Sequence, residues 1–352
     1  MAINSSTYEW AVIGAGPAGI ATVGKLIDSG VSPEKIVWLD SEFKVGDLGT
    51  KWRNVSSNTR VGLFLKYLHS SNAFEYSDCP KDFSLNTLPP GDTCKLHLIA
   101  DPLQWVTTVL QKKVAYITEK VKKIKLYNRQ WEIATNEEII THAKNVVLAI
   151  GAEPKKLIHS EIEVIPLEPA MDEAQLKQYC NEEDTIAVFG ASHSAIIILR
   201  ALLESCNVKK IINFYLSPLR YAVYLDDWIL FDDTGLKGTT AVWAREFIDG
   251  KLPEKLIRIL ATHEHVSHYL PQCNKAIYAV GFQKRSLPII EGFDHLSYNP
   301  HNGIIAPGLF GIGIAFPEAN IDRFGTLEYR VGLWKFMDYV TRMLPIWKQY
   351  YV

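Results

Sequence analysis

The sequence predicts an α/β protein made of two doubly wound parallel-sheet units, and three observations carry that expectation. An apolar run leads into a glycine turn and a small apolar helix-like stretch over Trp10 to Leu26 (WAVIGAGPAGIATVGKL). The same order recurs over Thr185 to Leu203 (TIAVFGASHSAIIILRALL). Each copy is followed by a second β-like run, Lys35 to Leu39 and Lys210 to Leu216. Strand, tight turn, helix and strand make the βαβ unit of a parallel sheet.

Length and composition bound the rest. The chain has 352 residues, room for roughly two ordinary domains. Hydrophobic residues make up 47% and charged residues 22%, enough apolar material for sizeable cores. A formal charge of −2 gives no bulk field for nucleic acid or an anionic membrane surface. The five cysteines (Cys79, Cys94, Cys180, Cys206, Cys273) include no C-x-x-C pair, which argues against a disulfide framework, a zinc site or a dithiol redox centre. Met1 to Trp10 lacks the basic patch and apolar run of a signal peptide, and no apolar stretch reaches the ~20 residues of a membrane span. A cytoplasmic protein acting on a small molecule, without nucleic-acid partners, is the expectation; oligomeric state is not readable.

Between the two units, Pro102 to Val114 has helical spacing, Glu119 to Lys125 reads as a half-exposed strand, and Asn145 to Ile150 as a buried one. After the second unit, Lys275 to Val280 and Gly308 to Ile314 are buried-strand candidates, and Leu327 to Leu344 has helical periodicity. The C-terminal part is read as returning to complete the first domain.

The first turn is Gly14-Ala15-Gly16-Pro17-Ala18-Gly19. Gly14 allows the tight turn, Gly16 the close approach of a dinucleotide pyrophosphate, and Gly19 close packing of helix on strand. The helix start offers unpaired N–H groups to the phosphates, and Pro17 fits its first turn. Asp40, ending the next strand, is placed to accept from a ribose hydroxyl. The second turn reads Gly190-Ala191-Ser192-His193-Ser194-Ala195. Serine at its second glycine position crowds a pyrophosphate, although its hydroxyl can donate to one. No acid ends its second strand. Arg220 follows instead, and a cation there favours a ribose 2′-phosphate, hence NADPH over NADH. A structural βαβ unit without a ligand is the alternative. His193 is expected to cap its helix.

In order along the chain, these motifs resemble the two-dinucleotide-binding flavoproteins, in particular the group of flavin-containing and N-hydroxylating monooxygenases. The resemblance adds Gly46 to Trp52 (GDLGTKW), similar to a G-G-x-W stretch, and Ala149 to Pro154 (AIGAEP), similar to the ATG crossing between domains. Tyr278 to Phe282 (YAVGF) is similar to the returning ATGF crossing, and Gly308 to Gly313 (GLFGIG) to a flavin-contacting segment. It implies a Rossmann-like FAD domain (1–155 plus 283–352) with an inserted NAD(P)H-binding domain (156–282). It further implies that Gly14, Gly16, Pro17, Ala18 and Gly19 hold the FAD pyrophosphate and Asp40 its ribose. Trp52 and Asn58 would lie towards the isoalloxazine, Ala149 and Gly151 at the crossing, and Gly311 and Gly313 near the flavin's ribityl and pyrimidine end. Gly190, Ser192, Ser194 and Arg220 would contact NADPH. The implied activity passes hydride from NADPH to flavin and on to oxygen and a small-molecule substrate. An acceptor reductase without oxygenation, and a flavin-binding interaction protein with a dead nicotinamide site, are the alternatives.

Departures from the family pattern are specific. Ile150 replaces the ATG threonine, Ile314 stands where an acid commonly follows Gly313, and no F-x-G-x-x-x-H fingerprint precedes the second turn. No catalytic acid or base is nominated. His263, Glu264, His265 and His268 are set aside as a metal site, since along a strand His268 would face away from the other two histidines. Tyr221 to Asp233, rich in aromatics and acids, is expected to form an excursion near the cofactor cleft.

Overall fold

The computed structural model describes residues 7–136, 138–159 and 161–350. Residues 1–6, most of the segment examined for a leader, lie outside them. Two parallel-stranded sheets organise the chain. In the larger, nine-stranded sheet the central strand Thr7–Ile13 lies between Ile36–Leu39 and Ile139–Leu148, parallel to both. Ala115–Ile117 extends it beyond Ile36–Leu39. Lys123–Tyr127 and Gln130–Ala134 add an antiparallel meander on the other side of Ile139–Leu148. The late strand Leu309–Gly311 joins Ile139–Leu148 in parallel. The smaller, five-stranded sheet has Thr185–Phe189 between Lys210–Tyr215 and Lys275–Tyr278, all parallel.

Central parallel strands are covered on both faces and therefore read as continuous apolar runs. Ala11, Val12, Val37, Trp38, Val147 and Leu148 are fully buried. The helix Pro17–Asp28 covers one face with Ile20, Ala21, Val23 and Leu26, and packs there against the last helix, Leu333–Trp347. Each such large aliphatic side chain contributes roughly 1.5–3 kcal/mol when fully buried.

Two narrow strands connect the sheets. Ala152–Pro154 leaves the first sheet and Phe282–Lys284 comes back, and the two pair antiparallel with Pro154 opposite Phe282.

Several expected elements shift. The middle helix is His97–Gln111, beginning before Pro102, and the expected strand at Glu119–Lys125 forms at Lys123–Tyr127. Leu327 to Leu344 is not one helix. Leu327–Arg330 is a strand paired with Glu318–Ile321, and the helix begins after Gly332, whose φ of 144° breaks the run. Tertiary pairing overrides the periodicity there: buried Glu328 accepts from the Thr234 hydroxyl at 2.7 Å. The histidine cluster forms a helix, His263–Tyr269, and not a strand; His265 Nδ1 bonds the Leu260 carbonyl at 2.8 Å. Among the described residues, no group of three or more His, Cys, Asp or Glu is placed to hold a metal. Among them, too, no helix is long and apolar enough to cross a membrane.

Candidate functional site: two clefts beside two glycine turns

The first cleft opens where the strand Thr7–Ile13 ends. Gly14, at φ +112°, carries the chain out of the strand so closely over the next one that an added Cβ would stand 2.3 Å from the Ala149 carbonyl oxygen. Gly19 has no such freedom either, since a Cβ there would meet the Gly14 carbonyl oxygen at 1.9 Å. Gly16 differs. Nothing of the protein lies within 4 Å of the place its Cβ would occupy, and Gly16 lines the cleft. It is the N-cap of the helix Pro17–Asp28, which has no side-chain cap and no acid in its first turn. That helix therefore presents uncapped N–H groups and the positive end of its dipole to the cleft.

Asp40 completes this corner. Its Oδ2 accepts from the Ala15 amide at 2.8 Å, and its Oδ1 accepts from the Glu42 and Phe43 amides at 2.8 Å each. A carboxylate has about four lone-pair sites, so these three bonds fix the side chain and leave capacity for one more donor.

The cleft runs on past Gly46, Trp52, Asn58, Ala149 and Gly151 to Gly332 and Leu333 at the start of the last helix. The Trp52 ring meets Phe282 edge-on, with centroids 5.9 Å apart. Gly311 and Gly313 take other places. Gly311 is buried against the Phe316 ring and Gly313 backs onto Ala18, while Ile314 reaches the cleft. Arg285, paired with Asp47, also lines it. Sequence reasoning missed that residue, for no motif marks it.

The second cleft lies along Gly190, Ala191 and Ser192 at the start of the helix His193–Glu204. Gly190 repeats the geometry of Gly14, with φ +129° and a virtual Cβ 2.3 Å from the Ala279 carbonyl oxygen. Ser192 is the N-cap and makes no side-chain capping bond. Arg220 lines this cleft with Lys155 and Lys156, and among the described residues no acidic side chain does so. Among the described residues, no carboxylate pairs with Arg220. The two lysines directly follow the AIGAEP crossing, the signal by which they were findable.

Ser194 separates from Ser192. It lines the first cleft, beside His193. His193 is not the cap expected of it. Its Nε2 donates to the Ser56 carbonyl at 3.0 Å, tying the second glycine turn to the strand Ser56–Arg60. Its Nδ1 is buried without a partner among the described residues, and burial pushes the imidazole below its ordinary pKa, partly opposed by the Ser56 bond. The start of the second unit's helix therefore reaches the first cleft.

The paired sheets and the two uncapped glycine turns define a fold with two dinucleotide-binding units. Residues 99–227 match the family model described as L-lysine 6-monooxygenase/L-ornithine 5-monooxygenase. Monooxygenase AgnR1 of Paecilomyces divaricatus is 33% identical over 96% of this chain and 97% of its own. The chain belongs to the monooxygenase family of AgnR1, within the two-dinucleotide-binding flavoproteins. It is accordingly an FAD-dependent NAD(P)H oxidoreductase of the monooxygenase type. Solved structures share the fold at low identity. The ornithine N-hydroxylase of Kutzneria sp. 744 has a TM-score of 0.65 and 12% identity, covering 98% of this chain and 99% of that one. A flavin-containing monooxygenase from Stenotrophomonas maltophilia has a TM-score of 0.62 and 14% identity, covering 98% and 99%.

Proposed function

We propose that the first cleft holds FAD, that the second holds NADPH, and that the enzyme oxygenates a small molecule where the first cleft reaches the last helix. The division of labour follows the sheets, with residues 1–155 and 283–352 as the flavin domain and residues 156–282 as the nicotinamide-nucleotide domain, while Lys155, His193 and Ser194 reach across to the other cleft. The observation that carries this reading is the open space over Gly16 at an uncapped helix start, a cradle that a Cβ would fill.

The chain's own groups divide as follows. Amides at the start of the helix Pro17–Asp28 receive the diphosphate, and Asp40 accepts from the adenosine ribose. The uncapped start of the last helix, with no acid in its first turn, favours negative charge on the flavin's pyrimidine end. Trp52 and Asn58 wall the same region. In the second cleft the Ser192 hydroxyl donates to a phosphate, and Arg220 with Lys155 and Lys156 supplies the field for a 2′-phosphate, which supports NADPH over NADH. When bound, the two cofactors supply hydride transfer and oxygen activation. The protein contributes placement and electrostatics. Five free cysteines are in keeping with work in the reducing cytoplasm.

The test is to purify the protein, record its absorption spectrum, and titrate it anaerobically with NADPH and with NADH. The reading expects a bound flavin bleached by NADPH at lower concentration than by NADH. Colourless protein that gives no heat with added FAD overturns it.

A further inference from the structure

Beside the first cleft lies a chamber of about 450 Å³. The two share Asn58, Thr59, Val331, Gly332 and Leu333. The chamber thus adjoins the cleft next to the last helix, away from the glycine turn and Asp40, which do not line it. Its outer wall comes from the excursion after Arg220: Tyr224, Ile229, Asp232 and Asp233.

Charge accounting along its wall is uneven, and Arg60 and Tyr224 on that wall are exposed to solvent. Four cations line the chamber, Arg60, Lys237, Arg330 and Lys335, against two carboxylates, Asp232 and Asp233. Both carboxylates are already committed. Asp232 pairs with Lys237 and with Lys335, and Asp233 pairs with Lys335 at 2.7 Å and accepts from the Val331 amide at 3.0 Å. Arg330 is held from outside by Glu318 at 3.1 Å. Arg60 is left. Among the described residues no carboxylate pairs with it, and its guanidinium lies 4.1 Å from the centroid of the Tyr224 ring. A guanidinium stacked on an aromatic face keeps its planar fork free for a bidentate acceptor. The rest of the wall is largely apolar, with Leu63, Pro90, Leu333 and Trp334.

From these observations we infer that the chamber is the substrate pocket, and that its substrate is an apolar small molecule bearing a carboxylate, gripped by Arg60. This rests on the flavin assignment of the adjoining cleft and specifies the substrate class of that site. Ornithine and lysine bring a carboxylate for Arg60, but their side-chain ammonium finds no uncommitted carboxylate among the described residues that line the chamber. The unmatched ammonium therefore disfavours the amino acids named in the matching family model.

The experiment is calorimetric titration of the flavin-loaded protein with 2-naphthoate, its neutral isostere 2-naphthamide, and L-ornithine. Naphthoate is expected to bind about tenfold more tightly than naphthamide, less so in high salt, with ornithine weakest. In Arg60→Gln the preference falls to within about twofold, and Arg60→Lys keeps part of it. Circular dichroism checks that each variant folds, and Tyr224→Leu, which removes the stacking face alone, is expected to reduce the preference as well. Equal binding of naphthoate and naphthamide by wild type, an undiminished preference in folded Arg60→Gln, or tighter binding of ornithine overturns the inference. The cofactor reading fails separately, by absence of flavin absorbance or of bleaching by NADPH, and the naphthoate titration is then still read on the colourless protein.

Discussion

Asp40 Oδ2 accepts a hydrogen bond from the Ala15 amide at 2.8 Å, so the acid assigned to the ribose is also the brace of the glycine turn. Removing the carboxylate leaves three amides to find other partners, each such loss costing about 1–3 kcal/mol where water cannot replace the bond. Asp40→Ala is expected to weaken FAD by more than tenfold and to lower the melting temperature even without cofactor. Asp40→Asn, which keeps one acceptor oxygen, should fall between. Flavin titration and thermal melts of the apoprotein check both.

Gly14 and Gly16 sit two residues apart and should fail in different ways. Gly14→Ala puts a Cβ against the Ala149 carbonyl at an unfavourable φ, costing about 1–3 kcal/mol from the backbone alone. Gly16→Ala meets nothing in the protein. Its melting curve without cofactor should match wild type, while FAD binding is lost. Normal flavin content in Gly16→Ala would refute the pyrophosphate placement.

Arg220→Ala should raise the KM for NADPH by tenfold or more and leave that for NADH nearly unchanged, because only the former brings a 2′-phosphate to the basic cleft. Equal losses for both nucleotides would remove Arg220 from that role.

His193 gives a pH prediction. Burial lowers its pKa in the folded chain below the ordinary 6.5, so the folded state resists protonation. Its contribution to stability is present above about 6.5 and is lost as pH falls through the lowered value. Urea midpoints should fall between pH 6.5 and 5 more steeply for wild type than for His193→Gln. Parallel profiles would show that His193 is not the group responsible.

In the second sheet, Asp184 is 1% exposed and pairs with Lys275 at 2.9 Å. Lys275→Met leaves that buried carboxylate with only its amide donors, and should destabilise the protein by about 3–5 kcal/mol. Changing both residues, Asp184→Asn with Lys275→Met, should recover part of this in denaturant unfolding.

What was legible in the sequence was local. The turn Gly14 to Gly19 keeps a six-residue glycine spacing, so spacing alone reveals it, although what crowds Gly14 is the distant Ala149 carbonyl; the second turn at Gly190 follows by repetition. Leu327 to Arg330 shows the limit. Its apolar spacing suits a helix, but Glu318 to Ile321, brought alongside by the fold, makes it a strand. His193 shows another limit: whether a histidine at a helix start turns back to cap it or outwards depends on a carbonyl at Ser56, distant in sequence. Trp52 and Asn58 were found through family resemblance, whereas Arg60 belongs to no motif. Its place is visible only once the charges around it have been matched in space.

The pairing of Ala152–Pro154 with Phe282–Lys284 bears on how such a chain can arise and fold. Departure from the first sheet and return to it occur at touching points, so the chain between them closes like one turn of great length. Closing so long a turn is entropically little worse than closing a moderate one. The two sheets can therefore lie in one chain at little cost in closure entropy, and the His193 bond to the Ser56 carbonyl ties them at a second place.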